Sequence, residues 1–477
     1  MTHFSLTGLY RGVLLLAGLT FLCALASCIE DDITTSPADQ PDFSTDSLRM
    51  GAMFTDVDNP TFSFRVYNRH SKVLNISSIR FKSDNSVFRM NVDGLAGKSF
   101  SNIEIRPNDS IYVFVAATLP PNGSFKPTEV SDIIEFVTNG VTREVVVTAE
   151  GTDVERLYAI TLTDDTRWEA DRPRQIFDSL VVAPGTTLTI APGTRLYFHD
   201  GAYMNIHGTL ITQGEPGHPV EFTGDRTGNV VTDISFDLMS RQWEGLYFSS
   251  TARDCRMDYT EVRNTWTGLT VDSTGVTPAP VLTLANCRLR NAAYNVLNAS
   301  HTTIHAYATE FAEAGYGTVS LTGGDYRFIN CTFSNYYLFS AIMGPLLRLS
   351  HVTPPEPDDE AATSDAPLLK AEITNCILYG SGADMLPGDL ADTQVTVTRT
   401  LLRSDGEDDD HFIECLWNQD PLFLTVRNDY LFDYRLKPES PAIGQALPGF
   451  ETLCGDRDFY GAPRTTASLG AYEPAQP

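Results

Sequence analysis

Three cysteines follow an asparagine in matching surroundings: Asn286-Cys287 in Leu284–Leu289, Asn330-Cys331 in Phe328–Phe333 and Asn375-Cys376 in Ile373–Leu378. Thiolates on a regular spacing are metal-ligand chemistry, so their separation decides the reading. The cysteines lie 44 and 45 residues apart, and Thr309 falls 22 residues from each of the first two. Thr400 comes 24 residues beyond Cys376. A period near 22 fits one coil of stacked short strands, so successive cysteines are expected two coils apart. Coils rise by ~4.8 Å, which puts those thiols roughly 10 Å apart, too far for a shared metal or a disulfide. The expectation is therefore an inward-facing thiol acting as a small hydrophobe, with no metal and no cofactor. His301 and His305 lack a third ligand in view. Asp405, Glu407, Asp408 and Asp409 offer hard oxygens but no fixed calcium spacing, and read as a solvated turn.

The elements that carry these residues are short apolar alternations, such as Leu188–Phe198, Met204–Ile211, Val220–Phe222 and Trp243–Phe248, each broken by Gly, Pro or Asn. Strands this short must stack on equivalents in neighbouring coils. The architecture expected over residues 155–435 is a right-handed parallel β-helix. Asn286, Asn330 and Asn375 would line one bend, with their amides bonding copy to copy as a ladder. Two acidic stretches, Pro354–Pro367 and Ser404–Asp410, should loop out of the stack.

Residues 47–154 read differently. Phe62–Tyr67, Leu74–Ile79, Ile111–Val115 and Val145–Ala149 alternate with period 2 between turn clusters such as Pro107-Asn108-Asp109. That pattern predicts an antiparallel Ig-like sandwich. The fold class expected is thus all-β.

Residues 1–27 form a targeting segment, with Arg11 ahead of an apolar run from Val13 to Ala26. The run ends in Leu25-Ala26-Ser27-Cys28, which resembles the lipobox of bacterial lipoproteins and implies a lipid on Cys28. The acidic residues that follow resemble the export tag of Bacteroidetes lipoproteins, which implies the outer face of the outer membrane. Residues 28–46 read as a polar linker. Phe88–Gly94, Asn108–Val115 and Val147–Gly151 are similar to the front module of a group of Bacteroidetes surface lipoproteins that continue into a β-helix. Asp420–Phe423, Asp433–Leu436, Ser440–Gly444, Asp456–Asp458 and Gly470–Glu473 resemble the closing segment of bacterial β-helix proteins. By that resemblance residues 436–477 form a cap over the last coil. Cys415 and Cys454 both lie towards this end of the chain, and in an oxidising setting a disulfide between them is one option.

The chain has 61 acidic and 34 basic residues, for a net charge of −27, which excludes nucleic acid as a natural partner. Lyases and hydrolases of the β-helix architecture use an Arg or Lys beside carboxylates, or aspartates near Gly-His-Gly and Arg-Ile-Lys. Neither tripeptide occurs, and beyond Arg156 the only lysines are Lys370 and Lys437. No arginine constellation with matched acids is evident in the sequence. The function expected is non-catalytic binding or scaffolding, with a glycan or an outer-membrane protein complex as partner. A polysaccharide lyase or glycoside hydrolase is the alternative. Tyr326, Tyr336 and Tyr337 are the candidate binding side chains, because Phe328 and Phe333 should face the core.

Overall fold

The structure is a computed structural model that describes residues 32–57, 59–231, 234–350, 369–386, 390–391 and 393–475. The targeting segment, Cys28 and the Pro354–Pro367 excursion lie outside the described residues. The chain divides into two compact units, residues 1–122 with 127–151 and residues 123–126 with 152–477.

In the first unit two antiparallel sheets share one core. Phe64, Val66, Val113 and Val115 come from one sheet, and Ile76, Ile134, Phe136 and Val147 from the other; all are buried. The longest hairpin pairs Thr128–Thr138 with Val141–Thr152. It turns on Asn139 and Gly140, both left-handed at φ 50° and 78°, as an Asn-Gly hairpin turn requires. The stretch read as a linker is folded from Asp32 onward. Ile33 bridges to Val73, and Asp42–Phe43 pairs with Val66–Tyr67 as an edge strand. The reason is apolar: the Phe43 ring lies 4.9 Å from that of Phe136.

The second unit is built of long parallel sheets, one of 18 strands and one of 10, an arrangement compatible with a β-helix. The chain visits three columns in turn, here called faces. The first face is the 10-stranded sheet, from Thr166–Trp168 to Phe412–Ile413. The second runs from Arg195–Phe198 to Leu416–Trp417, and the third from Tyr203–Ile206 to Met385–Leu386. Inward side chains stack coil on coil: Phe198 on Trp243 at 4.1 Å between centroids, and Phe311 on Phe333 at 5.0 Å. Each such large side chain withdrawn from water stabilises by roughly 1.5–3 kcal/mol.

The bend between the first and second faces holds a left-handed residue in coil after coil: Asn286, Ala308, Asn330, Asn375, Arg399 and Glu414, with φ between 47° and 57°. Asn tolerates this region better than other residues with a Cβ, which explains its recurrence. The strands pair Arg288 with Glu310 and Glu310 with Thr332, so Cys287 and Cys331 stand two coils apart. Cys331 and Cys376 do not. Thr332 pairs directly with Ile377, and the Cys331 N–H lies 3.4 Å from the Cys376 Sγ. The 45-residue interval is thus one long coil, which a count of residues cannot distinguish from two ordinary ones.

The end of the stack also departs from expectation. The acidic loop 404–411 bonds the last coil, and among the described apolar contacts the C-terminal segment touches that coil only at Leu416 on its second-face side. Asp409 accepts the N–H groups of His411 and Phe412, and Asp408 those of Cys415 and the Trp417 indole. Carboxylates there occupy donors that an open sheet edge would offer to foreign strands. The C-terminal segment instead runs back along the second face.

Candidate functional site

The outward side of the second face changes character along the stack. In its middle coils it carries Glu261 and Arg263, then Arg288 and Arg290, then Glu310. Two residues apart on a strand means the same side, so the sheet assembles a charged belt from three separate stretches of sequence. Arg263 binds Glu261 at 2.8 Å, and Arg290 binds Glu310, whose side chain has no solvent exposure. Burial opposes the Glu261 charge, yet Arg288, Arg263 and Arg290 hold its carboxyl down to about 2. This is the arginine–acid constellation that the sequence did not reveal. Its signal is the repeated charged residue–x–charged residue pattern in consecutive coils.

Above the belt the outward residues turn apolar: Ala312, Ile377 and Leu401. They are covered by Phe423, Tyr434, Leu436, Leu469 and Tyr472 of the C-terminal segment. Two buried tyrosines of that segment reach carboxylates of the sheet. The Tyr472 hydroxyl donates to Glu310 at 2.5 Å, and the Tyr434 hydroxyl donates to Glu313. Burial pushes the Glu313 carboxyl up to about 7, against the stabilising donation from Tyr434 and the Tyr336 N–H. Its second oxygen has no partner. With Glu261 fully ionised and Glu313 sealed at 1 % exposure, neither carboxyl is placed to exchange a proton with an external substrate.

The asparagines clasp the same segment. The Asn286 amide donates to the Cys454 carbonyl, that of Asn330 to Ser468, and that of Asn375 to Leu447. Only Asn375 to Asn330, at 3.3 Å, is a ladder bond. Cys454 therefore packs beside Tyr307, Ala308 and Ile329, whereas Cys415 sits in the last coil, with its thiol on the Val397 carbonyl. The disulfide is not formed; both are free thiols. Cys287 donates to the Met257 carbonyl, and burial pushes its thiol up to about 12, so it stays protonated. Among the described residues no group of three His, Cys, Asp or Glu is placed to hold a metal.

Of the three tyrosines singled out from the sequence, Tyr326 and Tyr337 are buried and Tyr336 is half-buried. Tyr326 is fully buried inside the stack, because it lies two residues from Phe328 and shares its inward side. Tyr337 is 6 % exposed and donates to the Ser240 hydroxyl at 2.8 Å. Tyr336 stacks on Tyr434, centroids 6.4 Å apart, beneath Arg427.

A row of rings reaches the surface elsewhere, at the bend between the second and third faces, with Tyr294 and Tyr316 exposed and Trp266 half-buried. Trp266, Tyr294 and Tyr316 occupy this bend in three successive coils: the Tyr294 N–H donates to the Trp266 carbonyl, and the Tyr316 N–H to that of Tyr294. Tyr294 is 54 % exposed, and its ring centroid is 6.3 Å from that of Trp266. Arg241 packs over Trp266 and Arg348 over Tyr316, bracketing the row. Tight backbone approach sets the bend. A Cβ on Gly268 or Gly317 would meet a carbonyl oxygen of the next coil at 2.2 Å. The third face beside the row presents Tyr203, Asn205, Tyr247, Thr270, Asn298 and Ser320 outward, all half-exposed and uncharged. The first face, by contrast, neutralises itself through pairs such as Arg327–Glu372 and Lys370–Asp325.

No protein-family model matches the chain, and no curated protein matches it. Among solved structures, a protein of unknown function from Porphyromonas gingivalis W83 aligns at 14 % identity over 26 % of this chain and 50 % of its own, with a TM-score of 0.18. A family 123 glycoside hydrolase from Clostridium perfringens aligns at 10 % identity over 24 % of this chain and 26 % of its own, with a TM-score of 0.17. The catalytic domain of a GH87 alpha-1,3-glucanase in complex with nigerose aligns at 7 % identity over 75 % and 88 %, with a TM-score of 0.15. The chain thus spans half or less of the first two. At these identities and scores none of them assigns an activity.

Proposed function

We propose that this chain is a lipid-anchored bacterial outer-membrane protein, displayed at the cell surface, that binds an extended uncharged glycan without chemical change. In this reading Cys28 carries the lipid, the first unit is an Ig-like sandwich, and the stack is a right-handed parallel β-helix. The observation that carries the reading is the row of Trp266, Tyr294 and Tyr316, one ring per coil at one bend. Aromatic faces suit the apolar faces of sugar rings, and the neighbouring hydroxyls and amides of the third face suit their hydroxyl groups. Coils repeat every ~4.8 Å, so equivalent contacts recur along a linear ligand. The net charge of −27 disfavours anionic polymers.

The test is a glycan array and pull-down from outer membranes with the mature protein and a Trp266→Ala/Tyr294→Ala/Tyr316→Ala variant. Binding of a neutral polysaccharide that the triple variant loses is the expected result. Retention by the triple variant, or appearance of cleaved product, overturns the reading. Recovery of a stable outer-membrane complex with no glycan binding points instead to a docked subunit.

A further inference from the structure

Resting on the lipid-anchor reading, we propose that one pole of the first unit lies directly against the lipid headgroup layer of the membrane. That pole is formed by residues 32–40, the 68–73 loop, the Arg106–Asp109 turn and the Asn139–Gly140 turn.

The tether leaves little freedom. Asp32 is already part of the fold: its carbonyl accepts from the Val73 N–H at 3.0 Å, and its carboxylate pairs with Lys72 at 3.0 Å. Thr34 is buried and donates its N–H to the Val73 carbonyl. Further along, the Asn139 amide donates to the carbonyls of Ser36 and Asp39, and the Gln40 amide to that of Thr138. The 68–73 loop and the 106–109 turn join the same pole, because Asn68 donates to the Ile105 and Arg106 carbonyls. From Cys28 to Asp32 there are four residue steps, which reach at most ~14 Å. A lipid on Cys28 thus holds Asp32, at the edge of this pole, within that distance of the bilayer surface.

The chemistry of the pole suits such a boundary. The Arg69 guanidinium lies 4.2 Å from the Tyr67 ring centroid, and the Arg69 and Lys72 side chains are 64 % and 52 % exposed. Arg106 is exposed as well. Cations paired with an amphipathic ring are what a headgroup layer accommodates: the ring beside the glycerol region and the charge on phosphate. Asp32 pairs with Lys72, Asp42 with Arg69 and Asp39 with His70, and Asp109 is exposed beside Arg106, so the pole carries no excess of positive charge; the acyl chains supply the affinity and the pole supplies the orientation.

The experiment uses the acylated full-length mature protein in vesicles of phosphatidylethanolamine and phosphatidylglycerol containing headgroup-nitroxide lipid. A fluorophore is placed on Lys72→Cys at the pole or on Glu129→Cys, in a Cys415→Ser background. Glu129 lies nine residues back along the strand from Thr138, about 30 Å from the pole. Loss of fluorescence at Lys72→Cys with none at Glu129→Cys is expected. A flexible Gly/Ser insert of about 15 residues after Cys28, worth roughly 20 Å of reach, should erase the difference. Arg106→Cys serves as a second pole label. Equal quenching at pole and far end in a protein that is acylated and vesicle-bound overturns the orientation alone. Absence of acylation and of vesicle binding overturns the anchor reading, and the orientation with it.

Discussion

The second and third faces are columns of one 18-stranded sheet over a common interior, yet among the described residues the chain covers the second and leaves the third uncovered. The difference lies in what points outward. On the second face Ala312, Ile377 and Leu401 need cover, and the C-terminal segment supplies it through Phe423, Leu436 and Leu469. Beside that contact the belt of Glu261, Arg263, Arg288, Arg290 and Glu310 is largely buried, its charges paired with one another and, at Arg263, with Glu221. On the third face Asn205, Thr270, Asn298 and Ser320 are half-exposed and meet water without penalty. A stack of near-identical coils therefore acquires a covered side and a side left to solvent among the described residues through its outward residues, and the second is where the proposed binding would fall.

The largest effect expected on the closed face comes from Glu310→Ala. It strands Arg290 and the Tyr472 hydroxyl in a buried setting, a loss of about 3–5 kcal/mol in urea unfolding. Early protease release of the C-terminal segment should accompany it. A loss below about 1 kcal/mol, the range of an exposed pair, would erase the contrast between the faces.

Glu313 sharpens it next. Its carboxyl is raised in the folded state from 4.5 to about 7. A raised acid contributes its stability fully below pH 4.5 and loses it as pH climbs to about 7, up to roughly 3 kcal/mol. Glu313→Gln should flatten unfolding free energy between those two pH values relative to the parent protein. Parallel pH profiles for the two proteins would show that the Tyr434–Glu313 contact does not titrate.

A third comparison pairs apolar and polar outward positions. Leu401→Ala should cost about 2–3 kcal/mol through the cavity it leaves under the C-terminal segment, while Ser320→Ala on the open face should stay within about 0.5 kcal/mol. Equal melting temperatures for the two variants would mean the cover contributes little. The smallest effect is reserved for function. Tyr294→Ala should leave stability unchanged within about 0.5 kcal/mol, yet weaken glycan binding by about 0.5–1.5 kcal/mol, up to roughly tenfold in Kd. Calorimetric titration with the glycan found on the array measures it.

Much of this was legible at the level of strand and coil. The 22-residue interval to Thr309 marks one coil, and the Asn before each cysteine marks a bend that needs a left-handed residue. Misreadings arose where sequence distance and spatial distance part. The 45 residues between Cys331 and Cys376 span one coil, because an insertion lengthens the chain without adding a rung. Tyr326 was separable from the surface by counting two residues to Phe328, and Tyr294 and Tyr316 by their own 22-residue interval. The closing motifs near the C-terminus identify a segment that covers something. They do not say which surface, since a segment after the last strand can reach either the end of the stack or its side.

Local pattern by itself determined that this chain makes short strands, that they recur in parallel coils, and which side chains enter the core; alternation and period are properties of neighbours along the chain. Tertiary structure alone decided that Glu261, Arg288 and Glu310 form one belt, that the asparagine amides clasp residues 447–468, and that three rings share an open bend. Those are relations between coils, and they depend on rung-to-rung register and on the path of the C-terminal segment, neither of which any single stretch of sequence encodes.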